Sequence, residues 1–132
     1  MKREMFLFIF ITGLLFYSNV KANSLKKLFC YPNPFSPFTN NGRLYIQYQL
    51  ERDVDLRIVI YSLTGDIVYS KSYEKGIENI TKAGQGTYQI EWDGRNNDGR
   101  YVVDGGYILQ VIANDGDVIV KKFVKILIIK DK

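Results

Sequence analysis

The stretch Y-P-N-P-F at Tyr31–Phe35 sets two prolines between aromatic residues, directly before a series of short alternating segments. Pro32 and Pro34 fix φ and remove two backbone donors, so this stretch cannot lie in the middle of a sheet. We therefore predict an edge strand that ends in a kinked segment, anchored to the core by the rings of Tyr31 and Phe35. A proline-rich ligand for a recognition domain is the alternative, but aromatic neighbours favour burial over display.

A second turn-rich stretch, W-D-G-R-N-N-D-G at Trp92–Gly99, follows a later alternating segment. Trp92 falls on the inward phase and is predicted to be a core anchor. Asp93 is placed to accept hydrogen bonds from the amides that follow, while Gly94 and Gly99 supply backbone conformations that other residues resist. An EF-hand calcium loop needs oxygen ligands at its first, third and fifth positions and glycine at its sixth. With Gly99 at the sixth position, Gly94 falls at the first and has no side chain to supply an oxygen. We therefore interpret this stretch as a hydrogen-bonded turn.

Alternation of apolar and polar residues with period two recurs along the chain and predicts strands with one buried face. The predicted strands are Arg43–Leu50, Val54–Tyr61, Ile67–Tyr73, Thr87–Asp93, Arg100–Val103, Tyr107–Ala113 and Val118–Ile129. In the last strand Lys122 is out of phase with its apolar neighbours, which predicts a bulge or a change of sheet. No segment favours a helix, so we predict an all-β, antiparallel sandwich of about seven strands.

The first 22 residues have the pattern of a secretory signal peptide. Lys2 and Arg3 form a positive start, Met5–Tyr17 is an uncharged run of 13 residues, and Val20 and Ala22 are small residues at a cleavage position. We predict a signal peptide over residues 1–22 that is cleaved after Ala22. The apolar run is shorter than the roughly 20 residues that span a bilayer, so an uncleaved anchor is the less favoured alternative.

Residues 23–132 are predicted to form one domain. They contain 15 basic and 13 acidic residues, because Lys2, Arg3, Lys21 and Glu4 belong to the leader, and a net charge of +2 does not favour nucleic-acid binding. One cysteine, Cys30, excludes an intrachain disulfide, and the chain has no histidine for a catalytic triad or a zinc site. We therefore predict no enzymatic activity, no cofactor and no metal site.

Exposed residues on the predicted strands offer a candidate interaction surface. The last strand carries Lys121 and Lys125, which either protect a sheet edge from pairing or form a basic patch. Tyr45 and Tyr61 fall on the outward phase of their strands. If they face solvent, they supply aromatic surface for contact with a sugar or a protein.

Five fragments in a fixed order resemble a known family. They are C-Y-P-N-P-F, I-V-I-Y-S-L-T-G-D-I-V, A-G-Q-G-T-Y-Q-I-E-W-D-G-R-N-N-D-G, G-G-Y-I-L-Q-V and a lysine-rich last strand. From about residue 28 to 130 the chain resembles the immunoglobulin-like domain of the bacterial flagellar hook-capping protein, which is related to C-terminal sorting modules of type IX secretion. The positions that match the family pattern, and that we expect to define the fold, are Pro32, Asn33, Pro34, Phe35, Trp92, Asp93, Gly94, Gly99, Gly106 and Tyr107.

This resemblance implies a seven-stranded immunoglobulin-like or fibronectin-III-like sandwich without a catalytic role, which serves assembly, surface attachment or secretion. We expect a bacterial protein that is secreted, periplasmic or on the cell surface and binds an envelope or extracellular protein. Contact with the membrane is expected only through the signal peptide during export. A type IX sorting module is the second hypothesis, because such modules usually follow a large cargo, whereas here the predicted signal peptide leads almost directly into the module. A carbohydrate-binding module is the third hypothesis.

Overall fold

The structure, a computed structural model, describes residues 23–130. The predicted signal peptide, residues 1–22, lies outside the described residues. Seven strands form in the described range: β1 (Leu25–Tyr31), β2 (Leu44–Leu50), β3 (Asp55–Ser62), β4 (Ile67–Tyr73), β5 (Thr87–Trp92), β6 (Gly105–Asn114) and β7 (Ile119–Ile128). A short 3-10 turn at Asn40–Gly42 precedes β2. Across residues 23–130, no helix has the length and apolar character needed to cross a membrane.

The strands form two antiparallel sheets that pack as a sandwich. Sheet A has the order β1-β2-β5, and sheet B has the order β4-β3-β6-β7. β1 lies at an edge of sheet A and stops at Tyr31, directly before Pro32, because a proline cannot donate to the next ladder bond. The predicted all-β antiparallel sandwich of about seven strands is confirmed.

Side chains on the inward phase of each central strand fill the space between the sheets. In β2 the buried and partly exposed residues alternate without exception, and Ile46 pairs with Ile90 of β5. The prediction that one face of each of these strands is buried is confirmed: the residues on the buried faces are Leu44, Ile46, Tyr48, Leu50, Val54, Leu56, Ile58, Ile60, Tyr88, Ile90, Trp92, Tyr107, Leu109 and Val111. Each such large side chain stabilises the fold by about 1.5–3 kcal/mol through its burial.

The predicted strand Arg100–Val103 is wrong. Only one isolated bridge forms there, between Arg95 and Tyr101. The backbone N–H of Val102 donates to the carbonyl of Gly94 (2.9 Å). These local bonds use the backbone groups that a ladder would need, so the chain folds back on the preceding turn instead of entering a sheet.

The predicted irregularity at Lys122 is also wrong. β6 and β7 pair in unbroken register from Gly105 with Ile128 to Asn114 with Ile119. Lys122 therefore shares the inward face of β7, where it is half-buried, because an edge strand leaves room for a long side chain to reach water. The register shifts fall in β1, between Lys26 and Phe29, and at the end of β3.

Candidate functional site

The first motif closes part of the free edge of β7. The N–H of Phe35 donates to the carbonyl of Leu127 (2.8 Å), and the N–H of Ile129 donates to the carbonyl of Phe35 (3.0 Å). The amide side chain of Asn33 accepts from the N–H of Leu127 (3.0 Å) and donates to the carbonyl of Lys125 (2.9 Å). The segment after β1 thus acts as a short extra strand beside the C-terminal half of β7.

The two turn-rich motifs meet in space at one end of the sandwich. The Phe35 ring lies 6.1 Å from the Trp92 ring, and both side chains are buried. A Cβ atom on Gly94 would lie 3.2 Å from Phe35 Cε2 and 3.1 Å from Pro37 Cβ, and Gly94 has a φ of +85°. This approach of the two motifs requires glycine at position 94.

Hydrogen bonds inside the second motif use most of its polar groups. The Trp92 indole donates to the Arg95 carbonyl (2.8 Å), and the Arg95 N–H donates to Asp93 Oδ1 (3.1 Å). Asn97 exchanges two bonds with the backbone of Ser70 in β4, at 2.8 and 3.0 Å. The turn thereby ties β5 of sheet A to β4 of sheet B.

A cleft of about 400 Å³ lies beside this turn, and its charged groups pair with one another. Arg43 Nε lies 3.4 Å from Glu91 Oε1, and Arg95 Nε lies 3.7 Å from Asp93 Oδ2. Residues 23–130 place no three His, Cys, Asp or Glu side chains together in a way that could hold a metal ion. The cleft therefore supplies a neutralised polar surface rather than an acid–base pair.

The remaining motif positions are Gly99, which ends the second motif, and Gly106 and Tyr107, which lie at the start of β6. Gly99 has a φ of +85°, and space is open where its Cβ would lie. A Cβ on Gly106 would lie 3.2 Å from Leu63 Cδ1. The hydroxyl of the buried Tyr107 donates to the carbonyl of Val103 (2.5 Å). These contacts are internal, so this end of the molecule is organised for structure.

The outward side of β7 and its neighbour β6, which we call the β7 face, is both apolar and basic. Phe123 is 61% exposed, Ile119 57% and Leu127 41%. Lys121 and Lys125 alternate with them and are exposed, and no ion pair joins either lysine to an acidic side chain in the described part of the chain. The face therefore presents uncompensated positive charge between large apolar side chains.

The N-terminal half of β7 has one edge that no other strand pairs with in the described part of the chain. β7 is the last strand of sheet B, and the Asn33–Phe35 segment bonds only the backbone from Lys125 onward. Within residues 23–130, no segment pairs with Ile119–Phe123 on the side away from β6. β1 packs against β7 without pairing to it, so sheet A covers part of this unpaired edge.

The structure does not bring the two predicted surface tyrosines together. Tyr61 lies on the outward side of sheet B, where its hydroxyl donates to Gln110 Oε1 (2.9 Å). Tyr45 lies on the outward side of sheet A, with its ring 5.2 Å from that of Tyr31. The predicted burial of Tyr31 is wrong, because the side chain is 39% exposed; β1 turns Leu28 and Cys30 inward instead.

The predicted interaction surface did not include Phe29 and Phe123, two aromatic residues that the structure shows to be exposed. Phe29 is 49% exposed and stands beside Tyr31 on β1. In the run L-F-C-Y both phases of β1 are apolar, so alternation does not mark the exposed side. For Phe123 a signal existed, since it falls on the outward phase that also carries Lys121 and Lys125.

Comparison with known proteins yields one family and a shared fold. A model of the FlgD Ig-like domain matches residues 33–117, well over half of the chain. Dimeric latent PorU from Porphyromonas gingivalis is similar in structure, with 16% identity and a TM-score of 0.65 over 87% of this chain and 10% of that one. PorZ from the same organism, described as an essential bacterial surface component of the type-IX secretion system, has 22% identity and a TM-score of 0.48, over 78% of this chain and 11% of that one.

The likeness to PorU is a likeness of fold. This chain spans about a tenth of the length of either of these two proteins. No curated protein matches it.

Proposed function

The chain belongs to the FlgD Ig-like domain family, and from this membership we propose that it is a non-catalytic, exported module. Its proposed role is protein–protein interaction or assembly at the bacterial cell envelope, with an envelope or extracellular protein as its partner. Export is supported by the leader pattern of residues 1–22.

The observation that carries this proposal is the β7 face. Three large apolar side chains, Ile119, Phe123 and Leu127, project into water from one strand. Apolar side chains clustered on a surface and rimmed by polar groups are typical of protein contact sites. Burying them against a partner would gain the hydrophobic free energy that the isolated chain forgoes.

The two lysines of this face indicate what kind of protein surface fits. Lys121 and Lys125 have no acidic partner among the described residues, so a partner that supplies carboxylates would compensate them. The same lysines disfavour pairing of the unpaired edge of β7 with a second copy, because like charges would then face each other. An acidic partner surface is therefore favoured over self-association.

Chemistry elsewhere in the chain supports a non-catalytic role. The sequence contains no histidine, and burial raises the pKa of the Cys30 thiol to about 12. A thiol with so high a pKa is almost entirely protonated at neutral pH and is a poor nucleophile. The carboxylates of Glu91 and Asp93 are engaged by Arg43 and Arg95.

A sorting or targeting module of type IX secretion is the second candidate, with the exposed lysines of β7 as its recognition surface. In that role a processing enzyme would remove or trim β7 after export. Ile126 and Ile128 are fully buried, so removing the strand would expose the core of the sandwich. This packing favours a retained β7 and ranks the sorting role below the interaction role.

The test is capture of the partner from the native envelope. The full chain with an affinity tag inserted between Ala22 and Asn23 is produced in its host and recovered, and the proteins bound to it are identified by mass spectrometry. Phe123→Ala and Lys125→Glu alter the β7 face, and Phe29→Ala is the matched control because that ring is similarly exposed on the opposite sheet.

We expect one reproducible protein partner that both β7-face variants lose and that Phe29→Ala retains. A partner retained by all three variants would overturn the assignment of the surface. Recovery of secretion-machinery components, or of a chain shortened at its C-terminus, would place the sorting role first.

A further inference from the structure

We propose that the outward side of sheet A binds a neutral polysaccharide through an aromatic strip formed by Phe29, Tyr31 and Tyr45. This strip lies on the side of the sandwich opposite the β7 face. The inference is therefore independent of the proposed protein partner and adds a second binding activity to the module.

The three rings form a continuous row across two strands. Phe29 and Tyr31 are two residues apart on β1 and so project from the same side, and Tyr31 pairs directly with Tyr45 of β2. The ring centroids are 5.9 Å apart for Phe29 and Tyr31, and 5.2 Å apart for Tyr31 and Tyr45. Phe29 is 49% and Tyr31 39% exposed, whereas Tyr45 is half-buried, so the row is open to a ligand mainly at Phe29 and Tyr31.

Two glutamine side chains hold the Tyr31 ring in place. Gln47 Nε2 donates to the Tyr31 hydroxyl (3.0 Å) and to Gln89 Oε1 (2.8 Å). The Tyr31 hydroxyl donates in turn to Gln89 Oε1 (3.0 Å). This closed set of bonds extends from β1 to β5, so the middle ring of the strip is oriented before any ligand arrives.

The same amides keep unused hydrogen-bonding capacity at the surface. Gln47 Oε1 accepts no bond and Gln89 Nε2 donates none to any group in residues 23–130. One free acceptor and one free donor thus stand beside the rings. Sugar hydroxyls can serve both groups, because each hydroxyl donates one bond and accepts others.

Two pairs of charged side chains next to the strip neutralise each other. Arg43 pairs with Glu91 at 3.4 Å, and Lys26 Nζ lies 2.6 Å from Glu51 Oε2. Lys27, two residues before Phe29 on β1, is exposed and has no acidic partner within residues 23–130, so one unpaired positive charge lies near the end of the strip. Because most of the neighbouring charge is paired, this surface fits a neutral ligand better than it fits a strongly charged protein patch.

The combination of rings and amides favours a sugar chain as the occupant. The C–H faces of pyranose rings pack on aromatic side chains, while their hydroxyls bond polar groups at the rim. A row of three rings on the side of a sheet matches an extended polymer with several sugar units in line. A small single ligand would instead need an enclosed pocket.

Binding to neutral polysaccharides tests the proposal. The full, tagged chain is mixed with insoluble cellulose, chitin or xylan, and depletion from the supernatant is measured over a range of concentrations. Phe29→Ala and Tyr31→Ala remove rings from the strip, and Tyr31→Phe keeps the ring but removes the hydroxyl. Phe123→Ala is the matched control on the opposite sheet, and a thermal melt of each variant verifies that it is folded.

We expect saturable binding to at least one of the three polymers, weakened about fivefold by loss of either ring. Tyr31→Phe should show a smaller loss, and Phe123→Ala should bind like the unaltered chain. Absence of saturable binding to all three polymers would overturn the proposal. So would unchanged binding in both ring variants, or a protein partner captured from the envelope that Phe29→Ala loses.

Discussion

Gly94 is the residue at which the two turn-rich motifs touch. It has a positive φ, and a Cβ at this position would press against Pro37 and Phe35 at 3.1 and 3.2 Å. Gly99 has the same φ of +85° but open space around it. The two glycines therefore separate the cost of backbone strain from the cost of lost space.

Replacing each glycine by alanine measures this difference. Gly99→Ala should lower the free energy of unfolding by about 1–2 kcal/mol through the positive φ alone. Gly94→Ala should cost a further 1–3 kcal/mol, roughly, because the methyl group overpacks the contact with Pro37 and Phe35. Urea unfolding of both variants measures the two losses, and equal losses would contradict the contact between the motifs.

At the scale of one element, β7 has two sides with different roles. Ile126 and Ile128 are fully buried toward sheet A, whereas Phe123 and its outward neighbours face solvent. The strand is also bonded along the whole length of β6 and, at its C-terminal half, by the Asn33–Phe35 segment. β7 is therefore a structural part of the sandwich that also carries an exposed surface.

Alanine substitution on each side of β7 tests this division. Ile126→Ala should lower the free energy of unfolding by about 2–5 kcal/mol, since it leaves a cavity in the core. Phe123→Ala should change it by less than about 0.5 kcal/mol, because the ring is largely in water. Thermal or urea unfolding gives both values. A loss for Phe123→Ala as large as that for Ile126→Ala would contradict its place on the surface.

The sequence predicts the buried residues of a strand well when one face of the strand is apolar and the other is polar. β2 and β5 alternate without exception because one side meets the core. In β3 and β6 the core-facing residues also follow from period two, but Val59 and Gln110 are buried on the opposite phase. β1 does not alternate in this way, since its register shifts between Lys26 and Phe29 and both of its phases are apolar. The exposed positions of Phe29 and Tyr31 depend on that shift, which the sequence does not reveal.

The alternation of apolar and polar residues does not predict contacts between residues that lie far apart in the sequence. Asn33 bonds the backbone of Lys125 and Leu127, which lie more than 90 positions away in sequence. Its neighbours predict an irregular edge segment, but only the packing of the two sheets brings that segment beside β7. The candidate surfaces likewise depend on which sheet each strand joins, which separates Tyr45 from Tyr61.

At the scale of the whole molecule, the sandwich presents two unlike faces on opposite sides. Sheet B offers apolar side chains with unpaired lysines, and sheet A offers stacked rings with free amide groups and paired charges. A module of this form could hold a protein on one side and a polysaccharide on the other. The proposed role in attachment and assembly rests on these two faces.

Site-specific photo-crosslinking in the native envelope tests the central claim most directly. A photoreactive side chain is placed at position 123 in one full-length variant and at position 29 in another, and each is produced in the host and irradiated. The account predicts one discrete protein adduct from position 123 and none from position 29. No protein adduct from position 123, or the same adduct from both positions, would contradict it.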